Sequence, residues 1–495
     1  MKVVFIVGKR YMPREWLGVM YLSAILKEND FDVTVCPTDA ERVREEVNGG
    51  PPAVLAYSMP TLVAAQYLQF NREIRGKLKN RVWSVFGGPH PTYYPEMVEE
   101  EGVDAICRGE GEDAFLEFMT LLREGRSPVN CRNWHVKDEE GNIHRNPLRP
   151  LRENLDDLPF PDRTLFRPPH FMPLSFMAGR GCPYGCTYCF NRAYNKLYGL
   201  KKPSLRRRSV DSVVAELEQL KASGQALAFQ SVDDIFCFPP IEWLEEFAEK
   251  YTARVGLPLG GNVRANLVNR DVARVMKQAG FFAVAMGVEC GNEEVRKKIL
   301  KRHMSNEMIV NAGLTLREAG IRVSTYNLLG LPGGSFEVDL ETLKLNLAFK
   351  PIHGIAFILG AYKGTEIHDI AQAMGMLSED FVQEMRDTSK EMYGWHPHLR
   401  FKDEREALRV ENLHKLFGLT IGFPFLYRFL PWLSDRRWTR FYGFLSVWYF
   451  RFILVVQILA LTGAIRRSGY LGKYLASWFS RNGQTKGKID AAEHA

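Results

Sequence analysis

Residues 179–190 read GRGCPYGCTYCF and hold three of the chain's eight cysteines, Cys182, Cys186 and Cys189. They are spaced four and then three residues apart, in a glycine-bearing loop that follows an apolar stretch typical of a buried strand, residues 174–178. Three thiolates this close together can bind three irons of a cubane cluster and leave the fourth iron without a protein ligand. A structural zinc site needs a fourth ligand, usually from a second cysteine pair, and no such pair lies nearby. The loop therefore predicts an iron–sulfur site, with zinc binding or redox-active thiols as the alternatives.

The other five cysteines are isolated in the sequence: Cys36, Cys107, Cys131, Cys237 and Cys290. Most of them follow or lie in apolar stretches, and we interpret them as core thiols. Eight cysteines among 495 residues are too few for a disulfide framework, and the start, MKVVFIV, runs into a predicted strand without a cleavage site. With 46% hydrophobic and 25% charged residues, the composition excludes a mainly disordered chain. The sequence predicts a globular protein of the reducing cytoplasm.

Six apolar stretches alternate with helical segments around and after the cysteine loop. They lie at residues 174–178, 226–231, 257–262, 283–288, 322–328 and 354–359. A strand followed each time by a helix is typical of a β/α barrel, here an incomplete one over residues 166–370. We expect its functional side chains at the carboxyl ends of the strands.

Residues 1–125 also alternate between short apolar stretches and helical periodicity. The five stretches, at 3–7, 32–36, 53–58, 81–86 and 104–107, predict an α/β domain with a doubly wound parallel sheet. A proline-rich linker, residues 126–165, follows. Small or polar residues come after three of the strands, where such sheets bind ligands: Ser58, Thr61, Gly87, Gly88, His90, Gly109, Glu110 and Gly111.

The spacing Cys182-x-x-x-Cys186-x-Tyr188-Cys189 resembles the cluster motif of the radical S-adenosylmethionine (SAM) enzymes that carry an N-terminal cobalamin-binding domain. The resemblance extends over roughly residues 1–370 of the sequence and includes the family's methylases and anaerobic cyclases. It implies a 4Fe–4S cluster held by the three cysteines, whose fourth iron is chelated by the amino and carboxylate groups of SAM. It also implies reductive cleavage of SAM to a 5′-deoxyadenosyl radical, with an electron from a flavodoxin- or ferredoxin-type donor.

The same resemblance implies which residues hold SAM. The set is Tyr188, Asp233, Asp234, Arg264 and Glu289. A carboxylate at Asp233 or Asp234 suits the methionine ammonium, although acidic residues after a strand are often helix caps. Arg264 suits the SAM carboxylate, with a solvated surface cation as the alternative, and Glu289 suits a ribose hydroxyl. No catalytic side chain is assigned beyond these.

For the first domain, the resemblance places the residues after its strands around the nucleotide tail of cobalamin. No Asp-x-His-x-x-Gly segment occurs in the first half of this domain. The resemblance therefore implies cobalamin without a histidine on its lower face. The loop at residues 8–17, with Tyr11 and Arg14, would lie nearest that face.

The C-terminal region, residues 371–495, is predicted to be helical, basic and aromatic. Residues 415–488 contain twelve cations against one anion, a net charge of +11 in a chain whose total is +7. Residues 441–465, FYGFLSVWYFRFILVVQILALTGAI, carry one charge, Arg451, whose place near the middle disfavours a spanning helix at a cost of about 2.5–3.5 kcal/mol. Flanking arginines and tryptophans favour a helix in the headgroup layer of a membrane, and a core helix that closes the barrel is the alternative. No motif favours nucleic-acid binding.

Together these features predict an enzyme that methylates an unactivated carbon of a bulky substrate, lipidic or tetrapyrrole-like. A second hypothesis is cyclisation, rearrangement or oxygen insertion on a tetrapyrrole or hopanoid-like lipid. A hypothesis of another class is a non-catalytic cobalamin or iron–sulfur sensor. The predicted location is the cytoplasm, with peripheral binding to the inner face of the membrane through residues 415–488.

Overall fold

The structure, a computed structural model, describes residues 1–9, 15–48, 50, 52–79, 82–169, 172–224, 226–379 and 398–467. The chain forms two compact units. The first contains Met1–Pro168, Thr187–Pro203 and Ala361–Tyr393, and the second contains Pro169–Cys186, Ser204–Gly360 and Gly394–Ala495. Each unit thus draws on three separate stretches of chain, whereas the sequence analysis divides the chain into consecutive segments.

A seven-stranded sheet forms the centre of the first unit. Its strands are β1 (Lys2–Val7), β2 (Asp32–Pro37), β3 (Ala53–Ser58), β4 (Trp83–Gly87), β5 (Ala105–Cys107), β6 (Trp134–Lys137) and β7 (Ile143–Arg145), in the order β2-β1-β3-β4-β5-β6-β7. The first five are parallel, which confirms the predicted doubly wound sheet. The last two are antiparallel and lie within the stretch taken as a linker. A connection of only five residues between β6 and β7 permits a hairpin and is too short for a parallel crossover.

Helices cover both faces of this sheet. They are α1 (Leu17–Glu28), α2 (Ala40–Val47), α3 (Ala64–Arg75), α4 (Pro89–Tyr93), α5 (Glu112–Arg123) and α6 (Phe190–Leu197), with 3₁₀ turns at Thr61–Val63, Pro95–Glu99 and Leu155–Asp157. Side chains of β1 alternate between two apolar clusters, Val3 and Phe5 on one face and Val4 and Ile6 on the other. Burial on both faces explains why these strands read as continuous apolar runs.

The second unit contains a six-stranded, wholly parallel sheet. The strands, β8 (Leu174–Phe176), β11 (Phe229–Ser231), β12 (Leu259–Val263), β13 (Phe281–Glu289), β14 (Arg322–Leu329) and β15 (His353–Ile358), are ordered β15-β14-β13-β12-β11-β8. A separate antiparallel pair is formed by β9 (Gly179–Gly181) and β10 (Leu205–Arg207). All six predicted strands are present, and their order along the sheet follows the chain. The sheet is an open, incomplete β/α barrel, as the sequence predicts.

Helices follow the strands of the second sheet and continue beyond it. They are α7 (Val210–Ala222), α8 (Ile241–Arg254), α9 (Arg270–Gln278), α10 (Glu293–Lys298), α11 (Asn306–Glu318), α12 (Phe336–Phe349), α13 (Glu366–Ala373, in the first unit), α14 (Glu404–Gly422), α15 (Leu430–Ser434) and α16 (Thr439–Arg467), with 3₁₀ turns at Ala265–Leu267 and Pro424–Phe429. Side-chain caps at Ser209, Asn269 and Ser305 set the starts of α7, α9 and α11. The described part of residues 371–495 is helical, as predicted.

Helix α16 packs along α14 and across the amino ends of the second sheet. Leu461 is buried against Ala228, the residue before β11. His353, the first residue of β15, lies 5.9 Å from the rings of Tyr449 and Phe450. Burial lowers the pKa of His353 to about 4, so the imidazole is neutral in this apolar contact. One face of α16 therefore closes the amino end of the barrel.

Candidate active site

Two buried arginines surround the sulfur of Cys186 at the carboxyl ends of the second sheet. Arg264, directly after β12, donates from Nη1 to Cys186 Sγ across 3.5 Å, and Arg302, after α10, donates from Nη1 across 3.8 Å. Each of these arginines is 6% exposed, and Cys182 and Cys186 are also buried. Both guanidinium groups donate to this sulfur, so it lies in a buried and positively charged environment. The environment therefore suits a ligand cysteine.

The position of Arg264 depends on its neighbours in the second unit. Its guanidinium carbon lies 3.8 Å from the ring centroid of Tyr184, and its Nε donates to Asn266 Oδ1 across 2.7 Å. Asn266 in turn donates to the Tyr184 hydroxyl across 2.8 Å. The alternative interpretation of Arg264 as a solvated surface cation is therefore wrong. Its contact with SAM stays a prediction.

Glu289 ends β13 in a conformation that few non-glycine residues adopt. Its φ is +66°, its side chain is largely buried, and the pairing with β14 shifts register just before it. A Cβ at Gly287 would collide with the Glu289 carboxylate and lie 2.9 Å from Arg302 Nη2. Left-handed backbone of this kind persists where surrounding structure enforces it and is concentrated at functional sites. The strand end thus holds a carboxylate and a guanidinium close together.

Arg302 is a site residue that the sequence analysis missed. Its Nη2 donates to the Gly287 carbonyl across 2.5 Å, and its other terminal nitrogen reaches Cys186. It lies in an irregular segment after α10 and follows no predicted strand, so strand-end reasoning could not find it. The signal that could have drawn attention is the apolar setting of a Lys-Arg pair, Lys301 and Arg302, between Leu300 and Met304.

Asp233 is buried and holds the start of the cysteine loop in place. Its Oδ1 accepts the backbone N–H groups of Ala178 and Gly179, each across 2.9 Å, and its Oδ2 accepts the Ser231 hydroxyl across 2.9 Å. Burial raises its pKa to about 6. These bonds join the end of β11 to the strand that leads into the loop. Asp234, by contrast, is exposed, and the roles of both residues toward SAM stay predictions.

Cys189 belongs to the first unit, where it is the N-cap residue of α6. Its Sγ accepts a hydrogen bond from Asn191 Nδ2 across 3.6 Å. Burial raises the pKa of the Tyr93 phenol, and the nearby Cys189 raises it further. The Tyr93 hydroxyl donates to the Phe190 carbonyl across 3.3 Å. Tyr188 is also in this unit. The third cysteine is therefore attached to the carboxyl edge of the first sheet.

The predicted cobalamin residues lie at the carboxyl ends of β3, β4 and β5. Gly88, with φ of +96°, could not carry a side chain without strain, since a Cβ would lie 3.0 Å from Met59 N. Thr92 Oγ1 donates to Gly88 O across 2.8 Å and accepts Gly109 N–H across 3.1 Å. Ser58, Gly87, Gly88, Gly109, Glu110 and Gly111 are partly exposed along this edge. The Thr92 hydroxyl therefore joins the ends of β4 and β5 at this edge of the sheet.

Two of the predicted residues are directed into the unit. His90 Nδ1 lies 3.2 Å from Thr61 Oγ1, and its ring stacks on Tyr94 with centroids 4.5 Å apart. Both His90 and Thr61 are buried. Their place in a cobalamin site stays a prediction. Tyr11 and Arg14, expected near the lower face of cobalamin, lie outside the described residues.

The donor chemistry fits the implied cofactors. In the described ranges, no three His, Cys, Asp or Glu side chains converge as around a single metal ion. The three thiolates of a cubane cluster instead bind different irons. On the first sheet, the strand order reverses between β1 and β3, so the crevice expected for a ligand opens at the edge that carries the glycines and Ser58.

Comparison with known proteins agrees with both units. Residues 177–345 match the Radical SAM superfamily and residues 3–119 match the B12 binding domain. An uncharacterized methyltransferase of Pyrococcus horikoshii is 25% identical over 73% of this chain and 79% of its own length. The anaerobic magnesium-protoporphyrin IX monomethyl ester cyclase of Rubrivivax gelatinosus is 25% identical over 68% of this chain, which spans 62% of that enzyme. The hopanoid C-3 methylase of Methylococcus capsulatus is 24% identical over 85% of this chain and 84% of its own length.

A solved structure shows the same fold. The radical SAM methyltransferase TsrM of Kitasatospora setae, with cobalamin and a [4Fe-4S] cluster bound, has a TM-score of 0.62 at 19% identity and covers 75% of this chain and 74% of its own. The present chain belongs to the radical SAM enzymes that carry a cobalamin-binding domain. It is a radical SAM enzyme, and its cofactors are a 4Fe–4S cluster, SAM and cobalamin.

Proposed function

We propose that this enzyme methylates an unactivated carbon of a bulky, lipid-soluble substrate. The observation that carries the proposal is the placement of the cysteine loop. The sulfur of Cys186 accepts hydrogen bonds from two buried arginines at the carboxyl ends of the second sheet, and Cys189 is the N-cap residue of α6 in the first unit. The similarity to the hopanoid C-3 methylase supports a lipid-soluble substrate. That match covers 85% of this chain, so it includes part of the C-terminal region after residue 370.

In this mechanism Cys182, Cys186 and Cys189 hold the cluster. The cluster supplies the electron that cleaves SAM, and cobalamin supplies a transferable methyl group. Arg264 and Arg302 donate to the Cys186 sulfur, and their positive charges would offset the negative charge of a cluster held by the three thiolates. Arginine is suited to this task because it stays charged even when buried. A flavodoxin- or ferredoxin-type protein delivers the electron.

The remaining strand-end groups orient SAM. Glu289, held by its left-handed backbone, is placed to accept from a ribose hydroxyl. Arg264 presents a guanidinium for the methionine carboxylate, and exposed Asp234 presents a carboxylate for the ammonium. Asp233 has a different task, since its oxygens already accept three hydrogen bonds and position the loop that bears Cys182. It is a positioning residue.

In the first unit, Ser58 and the glycines at the ends of β4 and β5 hold the nucleotide tail of cobalamin. These residues are small and partly exposed at the carboxyl ends of their strands, where sheets of this kind bind ligands. No histidine of an Asp-x-His-x-x-Gly segment would hold the group, since the first half of this unit has no such segment.

A second candidate is cyclisation or oxygen insertion on a tetrapyrrole, which the similarity to the magnesium-protoporphyrin cyclase favours. The two candidates differ in the mass of the product. Anaerobically reconstituted enzyme is incubated with SAM, cobalamin, dithionite and either a polycyclic isoprenoid or a magnesium tetrapyrrole. A gain of one CH₂ unit on the isoprenoid supports methylation, whereas a loss of hydrogen or a gain of oxygen on the tetrapyrrole supports the cyclase.

The same incubation tests the non-catalytic alternative. Formation of 5′-deoxyadenosine that requires the cluster shows a working radical enzyme. Full loading with cluster and cobalamin but no 5′-deoxyadenosine would leave the sensor as the better explanation. We infer a cytoplasmic location from the reducing chemistry that such a cluster requires.

A further inference from the structure

Exposed apolar side chains are concentrated in one part of the second unit. Among the described residues, fourteen of the nineteen large apolar side chains that are exposed lie between residues 423 and 459. They are Phe423, Phe425, Phe429, Trp432, Trp438, Phe441, Phe444, Trp448, Phe450, Phe452, Leu454, Val455, Val456 and Leu459. Single exposed apolar residues are normal, but a concentration of this kind marks an interaction surface. We call this set the aromatic face.

On α16 six of the nine members of the aromatic face lie on the side that the barrel leaves uncovered, whereas Phe450 lies beside His353. Six of its members recur every three or four residues and share one side of the helix: Phe441, Phe444, Trp448, Phe452, Val455 and Leu459. Tyr442, Tyr449 and Leu461 are buried on the side that packs against α14 and the amino ends of the strands. The helix therefore has two apolar sides, and the protein itself covers only one of them.

Cations border the aromatic face. Arg440 and Arg451 are exposed and eleven residues apart, about three helical turns, so they lie along the same edge of α16. The guanidinium of Arg451 lies 5.5 Å from the Trp448 ring centroid, and that of Arg436 lies 4.4 Å from the Trp432 ring. Asp435, the one acidic residue in 415–488, already pairs with Arg405 and Arg409. The border is positively charged.

We propose that the aromatic face docks on an anionic lipid surface, with α16 lying in the headgroup layer. Apolar and aromatic residues on one side and arginines at the edge are the pattern of interfacial helices, in which tryptophan sits at headgroup level and arginine reaches the phosphates. This docking does not depend on the reaction that the enzyme performs.

The packing of α16 distinguishes lying on a membrane from crossing it. Within the described ranges, α16 is the one helix whose length and apolar composition, over Thr439–Leu461, would suffice to span a bilayer. Its buried contacts at Tyr442 and Leu461 are nineteen residues apart, about 28 Å along the axis. The helix is exposed or half-buried between Tyr449 and Leu461, and crossing a bilayer would break the contact of Leu461 with Ala228. The structure favours the in-plane arrangement.

Charge also distinguishes lipid from the other possible occupants. A second copy of this chain would bring the same arginine-bordered face against the first, so like charges would meet. Residues 468–488 add four cations and no anion, so they too are a poor complement to the border. An anionic surface matches both the apolar and the charged components.

Docking in this way would direct the active site away from the lipid. Helix α16 covers Ala228 and His353 at the amino ends of β11 and β15, whereas Arg264 and Glu289 lie at the carboxyl ends of β12 and β13.

The test is flotation of the full chain with vesicles of phosphatidylcholine, alone or mixed in equal parts with phosphatidylglycerol. We expect binding to the anionic vesicles that weakens at high salt. The double variant Trp448→Glu/Phe452→Glu should lose it. The matched control, Met308→Glu/Met374→Glu, alters two exposed methionines outside the aromatic face and should bind like the wild type. The double variant Arg440→Gln/Arg451→Gln should bind roughly 5-fold more weakly per arginine, since each is worth about 1 kcal/mol at an anionic surface.

Three results would overturn the proposal. Equal binding by the glutamate variant and its control would mean that another surface holds the lipid. Resistance of the vesicle-bound protein to extraction with alkaline carbonate would show that α16 spans the bilayer. Absence of vesicle binding, together with a concentration-dependent dimer that Trp448→Glu/Phe452→Glu abolishes, would assign the face to a second copy. Unchanged thermal unfolding and cluster-dependent 5′-deoxyadenosine formation verify that the variants are folded.

Discussion

The two ends of the second sheet differ in every chemical respect although the same strands form both. At the carboxyl ends lie a buried thiol, two buried guanidinium groups and a carboxylate on left-handed backbone, around Cys186, Arg264, Arg302 and Glu289. At the amino ends lie a neutral imidazole and apolar side chains beneath α16. Parallel strands align all their carboxyl ends at one edge, so reactive groups accumulate there and the opposite end is free for packing. The comparison shows that a parallel sheet collects charged and polar side chains at one end and leaves the other end for apolar packing.

The largest effect is expected at the carboxyl end. Cys186→Ala removes one of three cluster ligands, and SAM cleavage should fall to background with iron content reduced, as measured by 5′-deoxyadenosine and iron analysis. Cys36→Ala removes a buried thiol of the first sheet and is the matched control. Retention of cleavage by Cys186→Ala would refute the assignment of the cysteine loop.

At the amino end, the two sides of α16 should respond differently to the same substitution. Leu461→Ala removes a side chain buried against Ala228 and should cost about 2–5 kcal/mol of stability. Leu459→Ala, two residues away and 66% exposed, should change stability by less than about 0.5 kcal/mol. Thermal and denaturant unfolding of both variants measure the contrast. Equal destabilisation would contradict the described packing of α16.

Asp233 predicts a pH dependence of stability. Burial raises its pKa in the folded protein to about 6, from an unfolded value near 3.8. The stability that the protonated carboxyl contributes is therefore fully present below pH 3.8 and is lost as the pH rises through 6. The change amounts to about 3 kcal/mol, at about 1.4 kcal/mol per pKa unit. Relative to Asp233→Asn, which keeps the acceptor and removes the titration, the wild type should therefore lose stability between pH 4 and 7.

The measurement is thermal unfolding of cofactor-free wild type and variant across that range. Asp211→Asn is the control, because the pH dependence at exposed Asp211 runs the other way. The hydrogen bond from Lys250 lowers the Asp211 pKa, so the stability that this carboxylate contributes is lost as the pH falls. A difference between wild type and Asp233→Asn that does not vary with pH would contradict the buried carboxyl. SAM affinity close to that of the wild type in Asp233→Asn would support the positioning role.

A smaller effect is expected from Arg302→Gln. Removing one of two cations beside Cys186 disfavours the added electron, and the reduced fraction of the cluster at a fixed potential should fall roughly 10-fold. Potentiometric titration followed by electron paramagnetic resonance measures the shift, with surface Arg274→Gln as the control. An unchanged midpoint potential would limit Arg302 to bracing the Gly287 carbonyl.

Much of the fold could be predicted because its signals are local. Apolar runs separated by helical periodicity predict the parallel strands of both sheets, and burial on both faces explains why those runs lack alternation. The hairpin β6–β7 was missed because its strands are short and lie in a proline-rich stretch. Part of its stability comes from Trp134, which stacks on Phe118 with ring centroids 4.2 Å apart. That contact joins residues far apart in the chain, so no local pattern marks it.

The site divides in the same way. The cysteine spacing marks Cys182, Cys186 and Cys189 because the three residues share one loop. Arg302 reaches Cys186 across 116 positions of sequence, and only the folded sheet brings the two together. Asp233 follows a strand, as a ligand-binding residue would. Only the folded chain shows that its Oδ1 accepts the backbone N–H groups of Ala178 and Gly179.

The sequence by itself determined the parallel strands of the two sheets, the three cysteines and the basic, aromatic character of the C-terminal region, because periodicity, spacing and composition are properties of short stretches. The tertiary structure decided which side of α16 is covered, which cations surround Cys186, and that the boundary between the units passes between Cys186 and Thr187. These outcomes depend on contacts between distant residues, whose packing and burial exist only once the chain has folded.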